Sequence, residues 1–262
     1  MPVQELASID GAISPVSAAT IPLPDDGLYR GDGAFEVIRL YGGRPFALGE
    51  HLDRLDRSAG AIELSYDRPA LEREVEQLLT RFGGEDGQLR IVVTRGGRRI
   101  AVTEPLPPRG ETVSLATVTY APSVILNGVK SISYAANMQA TRLAAAQGAD
   151  EAILVRPDGT VLEAPTAAVF WVSPQGTLRT ASLEAGVLES ITRARIVDAL
   201  DVETGEWPVA DLRAAREAFL ASTTREVQPV AAIDGSDLPE APGERTREAI
   251  EAFAQTLGRE LS

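Results

Sequence analysis

Residues 128–172, GVKSISYAANMQATRLAAAQGADEAILVRPDGTVLEAPTAAVFWV, decide the architecture. Ala135 to Gln147 is alanine-rich and predicts a helix that ends at Gly148, where the missing Cβ suits a helix terminus. From Glu151 the pattern changes to apolar runs cut by Pro157–Asp158–Gly159 and then Pro174–Gln175–Gly176, which read as strands and turns. A helix followed at once by strands predicts an α/β or α+β chain.

Upstream, GAFEVIRLYGGRPFAL reads as a hairpin, because apolar stretches flank Gly42–Gly43. Leu52, Leu55, Ala59 and Ile62 then recur at helical spacing. A second helix is predicted from Pro69 to Phe82, with Leu71, Val75, Leu78, Leu79 and Phe82 on one stripe and Gly83–Gly84 as the stop. QLRIVVTRGG and ETVSLATVTY read as strands, and the polar, Pro-rich GRRIAVTEPLPPRG between them reads as a connector. Downstream, helices are expected at Leu188–Leu200, Val209–Arg216 and Glu244–Leu257, with a strand at EAFLAS. The Pro/Gly/Asn stretch APSVILNG reads as a linker. The expected division is therefore an N-terminal α/β domain at 1–120, a connector at 121–127 and a C-terminal domain at 128–262.

Composition narrows the function. Of 262 residues, 38 are acidic and 25 are Lys or Arg, a net charge of −13. This balance argues against nucleic acid and against anionic membrane surfaces as partners. Cysteine is absent, which excludes disulfides, thiolate nucleophiles and Cys-ligated zinc, and a single histidine, His51, leaves no basis for a histidine metal site. No signal-like start and no long apolar run are seen, so a cytoplasmic location is expected. Lys130 is the one lysine among 24 arginines. Arginine serves as well as lysine for surface charge but cannot shed its proton, so a lysine kept in such a chain suits imine or proton-transfer chemistry. Taken alone, the count is also compatible with one surviving surface lysine.

Together these stretches, from GDGAFEVIRLYGG through ASTTREVQPV, resemble the class IV aminotransferases, the pyridoxal-phosphate enzymes of fold type IV. The resemblance implies two α/β lobes, a smaller N-terminal and a larger C-terminal one, and a homodimer. It implies pyridoxal 5′-phosphate as cofactor, with Lys130 forming the Schiff base and shuttling a proton between substrate Cα and cofactor C4′. Glu163 falls where the family's carboxylate faces the pyridine nitrogen. Arg54 aligns with the phosphate arginine, Ile191 and Thr192 with the helix start that receives phosphate, and Thr223 with a further phosphate ligand beside Thr224. Tyr134 is the expected donor to the cofactor's O3′. His51, three residues before Arg54, is expected to orient that arginine or cap its helix. GDG at Gly31–Gly33 reads as a backbone turn. The family's Glu-Gly and Ser-Asn pairs are replaced here by Ala164, Pro165, Ala167 and Ala168, which removes side-chain hydrogen bonds and leaves Thr166 as the surviving hydroxyl.

The resemblance also frames the substrate. Arg30, Arg90 and Arg98, with Arg99 as neighbour, are candidates for binding a substrate carboxylate through a guanidinium fork. Glu36–Val37 after the GDG aromatic follows the transaminase pattern. The expected activity is ping-pong transfer of an amino group between an amino acid, foremost a D-amino acid, and a 2-oxo acid. Alternatives are aminodeoxychorismate lyase, then branched-chain aminotransferase, and a non-catalytic pyridoxal-phosphate-binding protein.

Overall fold

The computed structural model describes residues 5–261, and the chain divides into two compact units. The smaller takes in the chain through Pro108 and returns for Val129–Tyr134; the larger takes in Arg109–Gly128 and Ala135–Glu260.

In the first unit, β1 (Leu6–Ile9), β2 (Ala12–Pro15), α1 (Asp26–Arg30), β3 (Gly33–Tyr41), β4 (Arg44–Pro45), α2 (Leu48–Ala61), α3 (Arg68–Phe82), β5 (Gly87–Thr94) and β6 (Arg99–Glu104) follow in order. Their strands form a sheet in the order β2-β1-β6-β5-β3-β4, with every pairing antiparallel. Alternation along β3 and β5 sends Ala34, Ile38, Leu40, Leu89, Ile91 and Val93 into one core, met by Leu52 and Leu55 of α2 and Leu71, Val75 and Leu78 of α3. Burying each such Leu or Ile contributes roughly 1.5–3 kcal/mol against leaving it exposed. Asp67 caps α3 by accepting the Ala70 N–H at 2.9 Å, Pro69 occupies its first turn, and Gly83 (φ +87°) ends it.

The connector expected at residues 97–110 contains a strand. The apolar run in β6 is short, but β6 is locked between β5 and β1, so tertiary pairing supplies what the local pattern lacks.

In the second unit, β7 (Val113–Thr119), α4 (Ala135–Ala146), β8 (Glu151–Val155), β9 (Ala168–Val172), β10 (Leu178–Ala181), α5 (Ile191–Ala199), β11 (Glu203–Gly205), α6 (Val209–Arg213), β12 (Glu217–Ser222), β13 (Glu226–Ile233), β14 (Ser236–Asp237) and α7 (Glu244–Glu260) follow. The sheet order is β11-β10-β9-β12-β13-β7-β8, with β14 on β13. β9 and β12 are buried along their whole length, as expected of central strands covered on both faces. Trp171, Val169 and Leu220 pack with Leu212 and Ala215, whereas Phe170 and Phe219 stack at 4.9 Å. Ala140 and Ala144 let α4 lie close on β7 and β8.

The division thus falls at Pro108 rather than near residue 121. β7 pairs in parallel with β8 and β13, which ties residues 113–119 to the second sheet. Lys130 moves the other way, from the expected C-terminal domain into the first unit. The Phe35 N–H donates to the Lys130 carbonyl at 3.0 Å and the Ile132 N–H to the Gly33 carbonyl at 3.0 Å, so this segment extends along the edge of β3.

Candidate active site

Lys130 is fixed by backbone bonds before its side chain is considered. Its carbonyl is held by Phe35, and its N–H donates to Ser58 Oγ of α2 at 3.1 Å. The half-buried ammonium lies 4.4 Å from the Phe35 ring centroid, a cation–π distance. Tyr134 packs edge-on against the same ring, with centroids 5.3 Å apart. The GDG turn makes this approach possible. Gly31 (φ +68°) ends α1, and a Cβ on Gly33 would meet the Val93 carbonyl at 2.5 Å and Ile132 at 2.9 Å.

Beneath β3 lies a buried charged cluster. Glu36 shares the inward alternation of Ala34 and Ile38, and its side chain is 0% exposed. His51 and Arg54 lie one turn apart on the buried face of α2. Arg54 donates through Nε to Glu36 Oε1 at 2.7 Å and through Nη2 to Oε2 at 2.6 Å, and His51 Nδ1 lies 2.7 Å from Oε2. Burial pushes the Glu36 carboxyl up, but the bonds from Arg54 and His51 outweigh burial and hold it at about 2. Burial lowers His51 below its usual value, and the charges of Arg54 and Lys130 act in the same direction against the opposing pull of Glu36. An ionised Glu36 beside a neutral imidazole places the proton on Nδ1, which donates to the carboxylate. His51 and Arg54 are thus both held by Glu36.

The second unit contributes a different set. Glu163 follows the turn at 157–159, its carbonyl accepting from the Leu154 N–H at 2.9 Å. Its Oε1 accepts the Leu188 N–H at 3.0 Å, in the segment leading into α5. Ser190 caps that helix, with its Oγ accepting from the Arg193 N–H at 3.2 Å. Ile191 and Thr192 are buried in the first turn, where the N–H groups point out of the helix toward its positive end. Arg193 is buried as well; burial lowers its pKa while Glu163, Glu184 and Glu189 raise it. Thr223 and Thr224 occupy the turn from β12 to β13, followed by Arg225, whose Nη2 reaches the buried Glu151 at 2.8 Å.

The three candidate substrate arginines each have a carboxylate partner. Arg30 is 77% exposed and pairs with Asp26 at 3.3 Å. Arg90 grips Glu104 of β6 through Nε and Nη2, both at 2.9 Å, and Arg98 meets Asp10 at 2.8 Å; Arg99 pairs with Glu74. Glu36 is the residue of the first unit's cluster that sequence reasoning missed. The signal for Glu36 was present: a carboxylate at an inward position of an apolar strand must find a buried cation.

Each unit, taken by itself, carries groups whose chemistry suits part of a phosphorylated, carbonyl-bearing cofactor. A 4% exposed guanidinium and a capped helix start each offer phosphate chemistry, Lys130 offers a primary amine, and Glu163 offers a carboxylate for a ring nitrogen.

The family model described as Amino-transferase class IV matches residues 33–233. A D-alanine aminotransferase of Listeria monocytogenes is 30% identical over 268 residues, covering 92% of each chain. A putative branched-chain-amino-acid aminotransferase of Methanocaldococcus jannaschii is 33% identical over 266 residues, covering 90% of each. Among solved structures, a hypothetical aminotransferase from Mycobacterium tuberculosis in its PLP-bound form is 28% identical and superposes with a TM-score of 0.86 over 95% of this chain and 97% of that one. The same protein has a form bound to α-ketoglutarate and PMP. Among the described residues, no helix is long and apolar enough to cross a membrane.

Proposed function

Since the chain belongs to the class IV aminotransferase family, with its two-sheet α/β fold of type IV, we propose that it is a D-amino acid transaminase whose amine is Lys130. Its cofactor is pyridoxal 5′-phosphate, which when bound supplies the electron sink for negative charge at the substrate Cα. In the first unit, Lys130 Nζ would hold the cofactor and act as the base and acid that moves the substrate Cα proton. Tyr134 donates to O3′, and Arg54 binds phosphate oxygens. In the second unit, Glu163 holds the proton on the pyridine nitrogen. The N–H groups of Ile191 and Thr192 and the hydroxyls of Thr192, Thr223 and Thr224 bind phosphate.

The observation that carries this reading is the fixing of the chain's one lysine, by its carbonyl to Phe35 and its N–H to Ser58, so that its amine is held over an aromatic ring. The D-preference draws support from the similarity to the Listeria enzyme, and Glu36–Val37 after the GDG aromatic supports amino transfer over the lyase reaction. Arg90 and Arg98 bind the substrate carboxylate by exchanging Glu104 and Asp10 for it, and Arg30 contributes by exchanging Asp26. The second half-reaction uses a 2-oxo acid as acceptor. The location is cytoplasmic. The enzyme is a homodimer, in keeping with exposed apolar side chains at Val124 and Ile125, 83% and 86% accessible, and a solution mass near twice 27.8 kDa would bear on that point.

The test is a donor panel followed by cofactor absorbance. D-alanine or D-glutamate should convert the bound cofactor to its amine form, and a 2-oxo acid should reverse the change. Conversion by L-leucine but not by D-donors would overturn the D-preference, and pyruvate release from aminodeoxychorismate without amino transfer would replace the transaminase reading with the lyase.

A further inference from the structure

Glu36 takes no part in the chemistry assigned above, yet it is the most enclosed charge in the cluster around Arg54. A buried carboxylate accepting two guanidinium bonds and an imidazole bond is costly to bury unless each partner is in place. The geometry also sets the ring of His51. With Nδ1–H committed to Glu36, the Nε2 atom is a bare acceptor, and it is buried without a hydrogen-bond partner. The cluster is thus closed on the Glu36 side and incomplete at His51.

We propose that Glu36 is a positioning residue for phosphate recognition: it fixes the Arg54 guanidinium by two bonds and locks His51 as the Nδ1–H tautomer, so that the phosphate grip depends on a residue that does not contact the phosphate. The inference rests on the assignment of Arg54 to the cofactor phosphate. Three observations carry it. Nε and Nη2 are both held by one carboxylate, which fixes the plane of the guanidinium as well as its position. Glu36 lies on β3 and Arg54 on α2, so the pair spans two elements of one core and local helix geometry alone does not set it. The charged groups that face the imidazole come from three elements, Glu36 on β3, Arg54 on α2 and Lys130 on the returning segment, and the two cations disfavour a third positive charge there. Groups that orient ligand-binding residues in this way typically cost about 10–100-fold in affinity when altered at metal sites, and the same scale is expected here.

The experiment compares pyridoxal 5′-phosphate with pyridoxal, titrated by absorbance into wild-type, Arg54→Ala, Glu36→Asp, His51→Ala and His51→Asn protein. The quantity read is the preference for the phosphorylated form, which a general loss of stability would not move. Arg54→Ala should lose most of that preference. Glu36→Asp should lose about 10–100-fold of it with pyridoxal binding unchanged. His51→Asn, which retains an N–H donor, should lie closer to wild type than His51→Ala. A full preference in Glu36→Asp alongside a lost one in Arg54→Ala would overturn the inference and leave the proposed function standing. A full preference in Arg54→Ala would overturn the phosphate assignment and the inference with it. Long-range 15N–1H NMR of the chain's one histidine tests the same claim without a variant. The Nδ1–H tautomer between pH 6 and 8 is expected, and an Nε2–H tautomer or an imidazolium would overturn the proposal even if Glu36→Asp failed to fold.

Discussion

The two units present anion-binding chemistry in opposite ways. In the first, Arg54 is a full charge held by buried Glu36, with His51 on the same carboxylate. In the second, the start of α5 offers partial charge from backbone N–H groups, capped by one serine hydroxyl. A helix terminus exists wherever the helix does and survives side-chain changes, whereas the cluster exists only while all its side chains are present. Rigidity is therefore bought from packing on one side and from backbone geometry on the other.

Breaking the chemistry itself should have the largest effect. Lys130→Arg keeps the charge over Phe35 but removes an amine that can release its proton, so half-reaction rates should fall by about 10²–10⁴-fold while the fold is retained. Rates near wild type in that variant would remove Lys130 from the mechanism.

Breaking the cluster comes next. Glu36→Gln leaves Arg54 buried without its counter-ion and should cost about 3–5 kcal/mol of unfolding free energy in denaturant titration. The acid limb of the stability curve sharpens the point. The Glu36 pKa is depressed in the folded chain, from the usual 4.5 to about 2. Its contribution is therefore present above pH 4.5 and is lost as pH falls from there toward 2. His51, depressed below its usual 6.5, acts with the same sign, because the unfolded chain takes up the proton first. Stability should accordingly decline from about pH 6.5 downward, and Glu36→Gln should flatten the part below pH 4.5. An unchanged acid limb in the variant would show that the cluster does not govern it.

The helix terminus should be more forgiving. Ser190→Ala removes the side-chain cap and should cost about 1 kcal/mol while leaving the N–H groups of Ile191 and Thr192 in place. A loss as large as that of Glu36→Gln would erase the contrast between the two units. The smallest change in stability is expected at Arg90. Its pair with Glu104 is partly exposed, so Glu104→Gln should move stability by about 0–1 kcal/mol. The same variant should lower the dissociation constant for the amino donor if Arg90 serves the substrate carboxylate, and an unchanged constant would count against that role.

Much of this was legible in the sequence where pattern and punctuation agreed. The α3 helix has Pro69 in its first turn, a five-residue apolar stripe and Gly83 at its end, and the structure follows that reading to within one residue. The apolar runs Ala168–Val172 of β9 and Ala218–Ala221 of β12 likewise read as strands, and both strands are buried along their length. The N-terminal hairpin was legible too but was not read: Asp10–Gly11, with φ of 49° and 91°, is the turn dipeptide that joins β1 to β2. By contrast, β6 and the Val129–Tyr134 segment are set by pairing with distant strands, which no local period reveals. At the site, family motifs pointed to Lys130, Arg54, Glu163 and the α5 start. Glu36 reads in the sequence only as part of the transaminase pattern after the GDG aromatic, and its place in a charged cluster follows from the pairing of β3 with β5 and from the His51 and Arg54 side chains of α2.

The central claim is that Lys130 is the amine of this enzyme, and the composition makes it directly measurable, since the chain has one lysine. Protein incubated with pyridoxal 5′-phosphate, reduced with borohydride and weighed intact should carry one covalent cofactor per chain, mapped by peptide mass to residue 130, and Lys130→Ala should carry none. Equal labelling of the variant, or a wild-type label mapped elsewhere, would contradict the account.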